Sequence, residues 1–125
     1  MPRTVLIVED CEEIAALEIA LATLDGMNVI AVANGREALD FLNRESVEVA
    51  AIITDLHLPY VDGFELIKTL RAHCRYSHLP ILVVSGDGQP DTPEKLRNLG
   101  ADAFFSKPYS PAEIRHKLKV LLNAS

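Results

Sequence analysis

Tryptophan is absent from the 125 residues, cysteine occurs only twice, and the 12 Lys and Arg are outnumbered by 18 Asp and Glu, leaving a net charge of -6 at neutral pH. Cys11 and Cys74 lie far apart and form no CxxC pair, which argues against a disulfide framework and against a zinc site. Both are expected to be reduced, small apolar fillers. The acid excess disfavours direct binding to nucleic-acid phosphates, which draws on clustered Lys and Arg, whereas an acidic cluster suits a hard divalent cation. Also missing is any apolar run near the roughly 20 residues that a membrane span needs, and Met1 to Thr4 leads straight into a strand-like segment instead of a signal peptide, so no membrane association and a cytoplasmic location are expected. With 49% apolar and 24% charged residues, neither disorder nor a fibrous class is indicated. The length fits a single domain over residues 1–125, and the start at Met1 and the polar end Asn123-Ala124-Ser125 suit a complete chain with no output domain.

The most informative stretch runs from Val49 to Gly63. Val49-Ala50-Ala51-Ile52-Ile53-Thr54 is uncharged and bounded by Asp55, Pro59 and Asp62-Gly63, the pattern of a strand buried on both faces, as in a parallel sheet. Asp55 then stands at the carboxyl end of that strand, where open α/β sheets bind their ligands.

The same unit recurs along the chain. Thr4 to Val8 is a short β-rich run ending on Glu9 and Asp10, followed by Ile14, Leu17, Leu21 and Leu24 at helical spacing and a stop at Gly26. Asn28 to Ala33 is a second strand, and the turn Asn34-Gly35 leads into a helix over Arg36 to Arg44 with Ala38, Leu39 and Leu42 on one face. After the Asp55 strand, Asp62-Gly63 opens a helix to about His73. Phe64, Leu66, Ile67 and Leu70 form its apolar stripe, with Glu65, Lys68 and Arg71 on the polar side. Ile81 to Ser85 is a fourth strand, followed by the glycine-rich loop Gly86 to Pro90, expected to be mobile. Thr92-Pro93 fits an N-cap and first helical residue of a short helix ending at Gly100. Ala103 to Ser106 is a fifth strand, and the capping-box match Ser110 to Glu113 starts a last helix carrying Ile114, Leu118, Leu121 and Leu122. Five strand–helix alternations with short loops predict a parallel sheet covered on both faces, with right-handed crossovers.

If the strands are parallel, their ends converge on one edge: Glu9 and Asp10, Asp55, Ser85 and Lys107. Three packed carboxylates repel, and a divalent cation relieves them; all-oxygen donors favour Mg²⁺. A carboxylate is also a nucleophile able to form an aspartyl-phosphate, with Lys107 and Ser85 placed to stabilise charge on phosphoryl oxygens.

At these residues the sequence resembles the receiver domain of bacterial two-component response regulators, as in the chemotaxis response regulator. The resemblance rests on Val8-Glu9-Asp10, Ile53-Thr54-Asp55-Leu56-His57-Leu58-Pro59 with Asp62-Gly63, Val83-Val84-Ser85-Gly86, and Gly100-Ala101-Asp102-Ala103-Phe104 through Ser106-Lys107-Pro108. It implies a flavodoxin-like fold with strand order 2-1-3-4-5 and five helices on both faces. It further implies phosphorylation of Asp55 by a histidine kinase or histidine phosphotransfer protein, and signalling by contact with an output protein. Carried over by position, Asp10, Asp55 and the His57 carbonyl ligate Mg²⁺, with Glu9 assisting through water. Lys107 pairs with the phosphoryl group, Ser85 supplies the switch hydroxyl, and Phe104 takes the aromatic switch position. Phe104 lacks the hydroxyl of the Tyr often found there, so ring burial alone has to report the switch. His57 and Asp87 stand at positions that tune dephosphorylation in the family. The His57 ring as a transition-metal ligand is disfavoured, since no second His falls at ligand spacing; His73, His78 and His116 are expected on the surface.

Two other readings make different demands. A small Mg²⁺-dependent phosphatase or phosphotransferase working through aspartyl-phosphate needs a second acid near the nucleophile and a cap over a substrate pocket, and nothing in the chain supplies a cap. A receiver-like scaffold without phosphorylation predicts loss of a site residue, and none is lost. The expectation is a phosphoacceptor whose catalysis is limited to its own phosphoryl transfer and slow dephosphorylation.

Overall fold

The computed structural model describes residues 3–10, 12–23, 26–44, 48–58, 61–86 and 89–123. Five strands, β1 (Thr4–Val8), β2 (Asn28–Val32), β3 (Val49–Thr54), β4 (Ile81–Ser85) and β5 (Ala103–Ser106), alternate with α1 (Glu12–Thr23), α2 (Gly35–Leu42), α3 (Gly63–Ala72), α4 (Thr92–Leu99) and α5 (Pro111–Asn123). A single turn of 3₁₀ helix, Cys74–Tyr76, follows α3. The sheet is parallel throughout, in the order β2-β1-β3-β4-β5, the flavodoxin-like topology expected from the sequence.

Strand alternation sorts the core into two layers. Leu6, Val8, Ile52, Ile81 and Val83 face α2, α3 and α4, where they meet Ala38, Phe41, Leu66, Ile67, Leu70 and Leu96. Their neighbours Val5, Ile7, Ile53, Leu82 and Val84 face the other way, against Leu21 of α1 and Ile114, Leu118 and Leu122 of α5. Central strands with both faces covered require an unbroken apolar run, which is why β1, β3 and β4 read so plainly. Each of these buried aliphatic side chains contributes about 2 kcal/mol through loss of hydrated surface.

Helix starts follow local chemistry. Asn34 caps α2 by accepting the Glu37 N–H at 2.9 Å, while the Glu37 carboxylate accepts the Ala33 N–H at 2.7 Å. Asp62 caps α3 through the Glu65 N–H. At α5 the backbone carbonyl of Ser110 accepts from Glu113 and Ile114, with Pro111 as first helical residue.

Several local expectations are corrected. Thr92 is not the cap of α4: it is the first helical residue and is buried, while Asp91 takes the cap position with no side-chain bond. Cys74 is exposed, because the 3₁₀ turn sends Tyr76 inward instead, its hydroxyl donating to the Leu42 carbonyl. Arg71 is no solvated member of a polar face. Its guanidinium donates twice to the Gly100 carbonyl (2.9 and 2.8 Å), to the Tyr76 carbonyl (3.0 Å) and to Asp102 (3.1 Å), tying α3 to the turn that enters β5. The second strand ends at Val32, and α2 spans Gly35–Leu42 instead of Arg36 to Arg44. His73, His78 and His116 are exposed, as expected. Cys11, Leu24, Pro59, Asp87 and Gly88 lie outside the described residues, as does the side chain of Leu17.

Candidate functional site

The carboxyl ends of β1 and β3 lie side by side at the point where strand order reverses, so the crevice between their outgoing connections opens over Glu9, Asp10 and Asp55. One oxygen from each of these carboxylates lies within 4.8 Å of the others. Glu9 and Asp55 are buried, Asp10 is exposed.

Asp55 is held on both oxygens. Oδ1 accepts the Leu56 N–H at 2.6 Å and the His57 N–H at 3.3 Å, and Oδ2 accepts from the Lys107 ammonium at 2.9 Å. The loop carrying these amides is closed from behind by Gly63, whose N–H donates to the Leu56 carbonyl at 2.8 Å. A Cβ at Gly63 would lie 2.4 Å from the Asp55 carbonyl oxygen, so only glycine permits that approach.

Lys107 reaches the crevice from the far end of the chain. Its N–H donates to the Ser85 carbonyl at 2.8 Å, which fixes the segment after β5 against the end of β4, and its ammonium bridges Asp55 and Glu9, the latter at 3.3 Å. Burial alone would lower the Lys107 pKa, but the hydrogen bond and charge of Asp55, then Glu9, outweigh it and hold the group above its ordinary value. Glu9 is pushed up to about 7, by burial first and by the Asp55 charge second, with Lys107 opposing. Glu9 and Asp55 thus share one ammonium, and with Asp10 beside them the arrangement is short of positive charge. Its hard oxygen donors suit Mg²⁺, which takes one or two carboxylates and keeps its other positions for water or phosphate.

Ser85, fully buried, ends β4 and pairs in register with Ser106 of β5. Phe104 is half-buried and packs on the α2–α3–α4 side, opposite Phe105 and Tyr109. The His57 residue is exposed beside Asp55. Of the residues singled out in the sequence, Glu9, Asp10, Asp55 and Lys107 come together, Ser85 flanks them, Phe104 lies on the layer toward α4, and Asp87 lies outside the described residues.

One group went unrecognised. Glu18, on the inner side of α1, is only 2% exposed, and burial, followed by the charge of Glu9, pushes its pKa up to about 8. Its spacing was available as a signal, four residues after Ile14 and three before Leu21, which places it on the face that packs inward.

Fold and crevice together define a doubly wound α/β domain with an acidic site at its topological switch point, bridged by a lysine. The family follows from comparison: the chain belongs to the response regulator receiver domains, whose sequence profile matches residues 5–119. It is 35% identical over 124 residues to the chemotaxis protein CheV2 of Helicobacter pylori, covering 97% of this chain and 39% of that protein. It is 33% identical to the polar-differentiation response regulator DivK of Brucella anthropi, covering 98% of both. It spans about half the length of the transcriptional regulatory proteins it also matches. Among solved structures, the chemotaxis response regulator CheY4 of Vibrio cholerae superposes with a TM-score of 0.86 at 27% identity, over 97% of this chain and 99% of that one. Receiver domains are signalling modules of two-component systems that bind Mg²⁺ at an acidic cluster and interact with histidine kinases or phosphotransfer proteins. Among the described residues no helix is long and apolar enough to cross a membrane.

Proposed function

We propose that Asp55 is the phosphoacceptor of a receiver domain occupying residues 1–125, and that the domain signals by protein–protein contact. The observation that carries this reading is the Asp55 carboxylate itself, oriented by two backbone N–H groups on one oxygen and by an ammonium on the other, inside a cluster of hard oxygen donors. One Asp55 oxygen attacks the phosphorus of a phosphohistidine on the kinase or phosphotransfer protein, the P–N bond breaks, and the imidazole leaves with the bonding pair. Glu9, Asp10, Asp55 and the His57 carbonyl would hold Mg²⁺, which when bound supplies positive charge to the phosphoryl oxygens. Lys107 exchanges its pairing with Asp55 for one with the phosphoryl group. The Ser85 hydroxyl and the Phe104 ring then report the new charge to the α4–β5–α5 face, where an output protein docks, while His57 and Asp87 set the lifetime. No external small molecule is turned over and no nucleic acid is bound directly; the domain acts in the cytoplasm.

The test is intact mass after incubation with Mg²⁺ and acetyl phosphate, on wild type and Asp55→Asn. A phosphate-sized, Mg²⁺-dependent adduct on the wild type alone is expected. An adduct that persists in Asp55→Asn, or none on a folded wild type that binds Mg²⁺, overturns the assignment.

A further inference from the structure

Behind the crevice, on the α1–α5 side of the sheet, two polar groups are sealed into an otherwise apolar layer. The Tyr109 ring packs in the cluster formed by Val5, Ile7, Ile53 and Ile114, and its hydroxyl is buried without a hydrogen-bond partner among the described residues. Glu18 is buried on α1, which packs against β1, β2 and α5. Of the charged groups acting on the Tyr109 phenol, Glu18 has the largest effect, and after burial it is the foremost reason that the phenol keeps its proton. The groups acting on Glu18 are Glu9 at the end of β1, Asp55 at the end of β3 and Lys107 after β5; β2 carries no charged residue, and α5 turns Ile114, Leu118 and Leu122 inward. Both Glu18 and Tyr109 hold a proton at neutral pH, so each is able to donate and to accept.

A buried hydroxyl with no partner costs on the order of 1–3 kcal/mol and calls for a reason. Here it sits two residues past Lys107, on the segment that delivers the ammonium to Asp55. We propose that Glu18 and Tyr109 are a positioning pair for Lys107: the Tyr109 hydroxyl closes onto the Glu18 carboxyl when the β5–α5 segment shifts to bring the ammonium onto a phosphoryl group at Asp55. The unphosphorylated conformation leaves the hydroxyl unpaired, and phosphorylation satisfies it, so the hydrogen bond favours the shifted segment alone. The inference rests on phosphorylation of Asp55.

Initial rates of Mg²⁺-dependent phosphate uptake from acetyl phosphate, read by intact mass, test it in wild type, Tyr109→Phe, Glu18→Leu, Glu18→Gln and the Tyr109→Phe/Glu18→Leu double variant. Tyr109→Phe and Glu18→Leu are each expected to slow uptake about tenfold, the rate equivalent of one hydrogen bond. The double variant should be no slower than either single one, and Glu18→Gln, which keeps an acceptor oxygen, should stay near the wild-type rate. A purely structural Glu18 predicts otherwise, because an apolar replacement of a buried acid leaves the rate unmoved. Single-variant rates within twofold of wild type, or additive losses in the double variant, overturn the pair while leaving Asp55 as acceptor. Absence of any wild-type adduct removes both. Should Glu18→Leu not fold, Tyr109→Phe and Glu18→Gln still decide, since one deletes a single oxygen and the other keeps the side chain's shape.

Discussion

The Lys107 ammonium donates to Asp55 Oδ2 at 2.9 Å, joining the end of the last strand to the end of the central one. It is also the charge that opposes the rise in the Glu9 pKa. Removing it leaves two buried carboxylates facing each other and takes away a fixed donor for the phosphoryl oxygens. Lys107→Met is therefore expected to slow phosphate uptake by roughly 100-fold, the scale set by loss of one preorganised donor in a water-poor site. Stopped-time intact mass measures it; a rate within threefold of wild type contradicts the role.

Glu18 makes stability depend on pH in a defined direction. Its pKa is raised from 4.5 to about 8 on folding, so between those values the folded protein binds the proton and the unfolded chain does not. Stability is whole below pH 4.5 and falls as pH rises through the window, by at most about 1.4 kcal/mol per pH unit, levelling above pH 8. Glu18→Gln removes the proton linkage, so the variant should gain on the wild type steadily from pH 5 to pH 8 in urea unfolding. Parallel stability curves for the two proteins would show that Glu18 does not titrate in this way.

The site was legible to the extent that it sits on strand ends. Glu9, Asp10, Asp55, Ser85 and Lys107 each follow an apolar run, and a parallel sheet gathers such residues whatever the loops do. Side chains whose role is set across the fold were not. Arg71 looks like any polar helix residue until Gly100 and Asp102 arrive beneath it, some 30 positions later. Glu18 is harder to read for another reason: α1 carries Ile14, Ala15, Ala16, Leu17, Ile19, Ala20 and Leu21, apolar nearly all round, so the spacing of Glu18 from Ile14 and Leu21 stands out little against the rest of the helix. Thr92 and Cys74 were misread because one residue of slip at a cap, or one turn of 3₁₀ helix, exchanges inside for outside.

Gly100 combines a left-handed backbone with a close neighbour, the Arg71 side chain. It takes φ +105°, and a Cβ there would lie 2.9 Å from Arg71 Nε. Gly100→Ala strains the backbone and pushes the guanidinium off the carbonyl it grips, for an expected loss on the order of 2 kcal/mol, or roughly 8 °C in Tm. Because the two residues share one contact, Arg71→Ala should cost less in the Gly100→Ala background than in the wild type. Calorimetry of the four proteins gives the coupling, and strictly additive losses contradict it.

His57 is exposed beside the acceptor and donates its backbone N–H to Asp55, a bond that does not depend on the identity of the side chain. Replacing the ring should therefore spare phosphate uptake and alter only the approach of water. For His57→Ala the expected result is an unchanged yield of adduct with a lifetime different from wild type, followed by intact mass after removal of acetyl phosphate; Asp87→Ala is expected to behave alike. Equal lifetimes in all three proteins remove the tuning role.

Gly63 tests whether the acceptor loop has to be held in one geometry. Its N–H bonds the Leu56 carbonyl, and a Cβ would fall 2.4 Å from the Asp55 carbonyl oxygen and 2.7 Å from Leu56 Cα, both backbone atoms that cannot step aside alone. Gly63→Ala must therefore displace the 55–57 segment, lengthening the bonds by which Leu56 and His57 orient Asp55 Oδ1. The carboxylate stays in the crevice but loses its fixed angle of attack, and a misplacement near 1 Å is enough to cost about 100-fold in rate. A fall of that order in phosphate uptake is expected, beyond what the loss of thermal stability accounts for at a temperature where the variant is fully folded. Wild-type uptake by folded Gly63→Ala would mean that Asp55 reacts without the orientation these two amides give it.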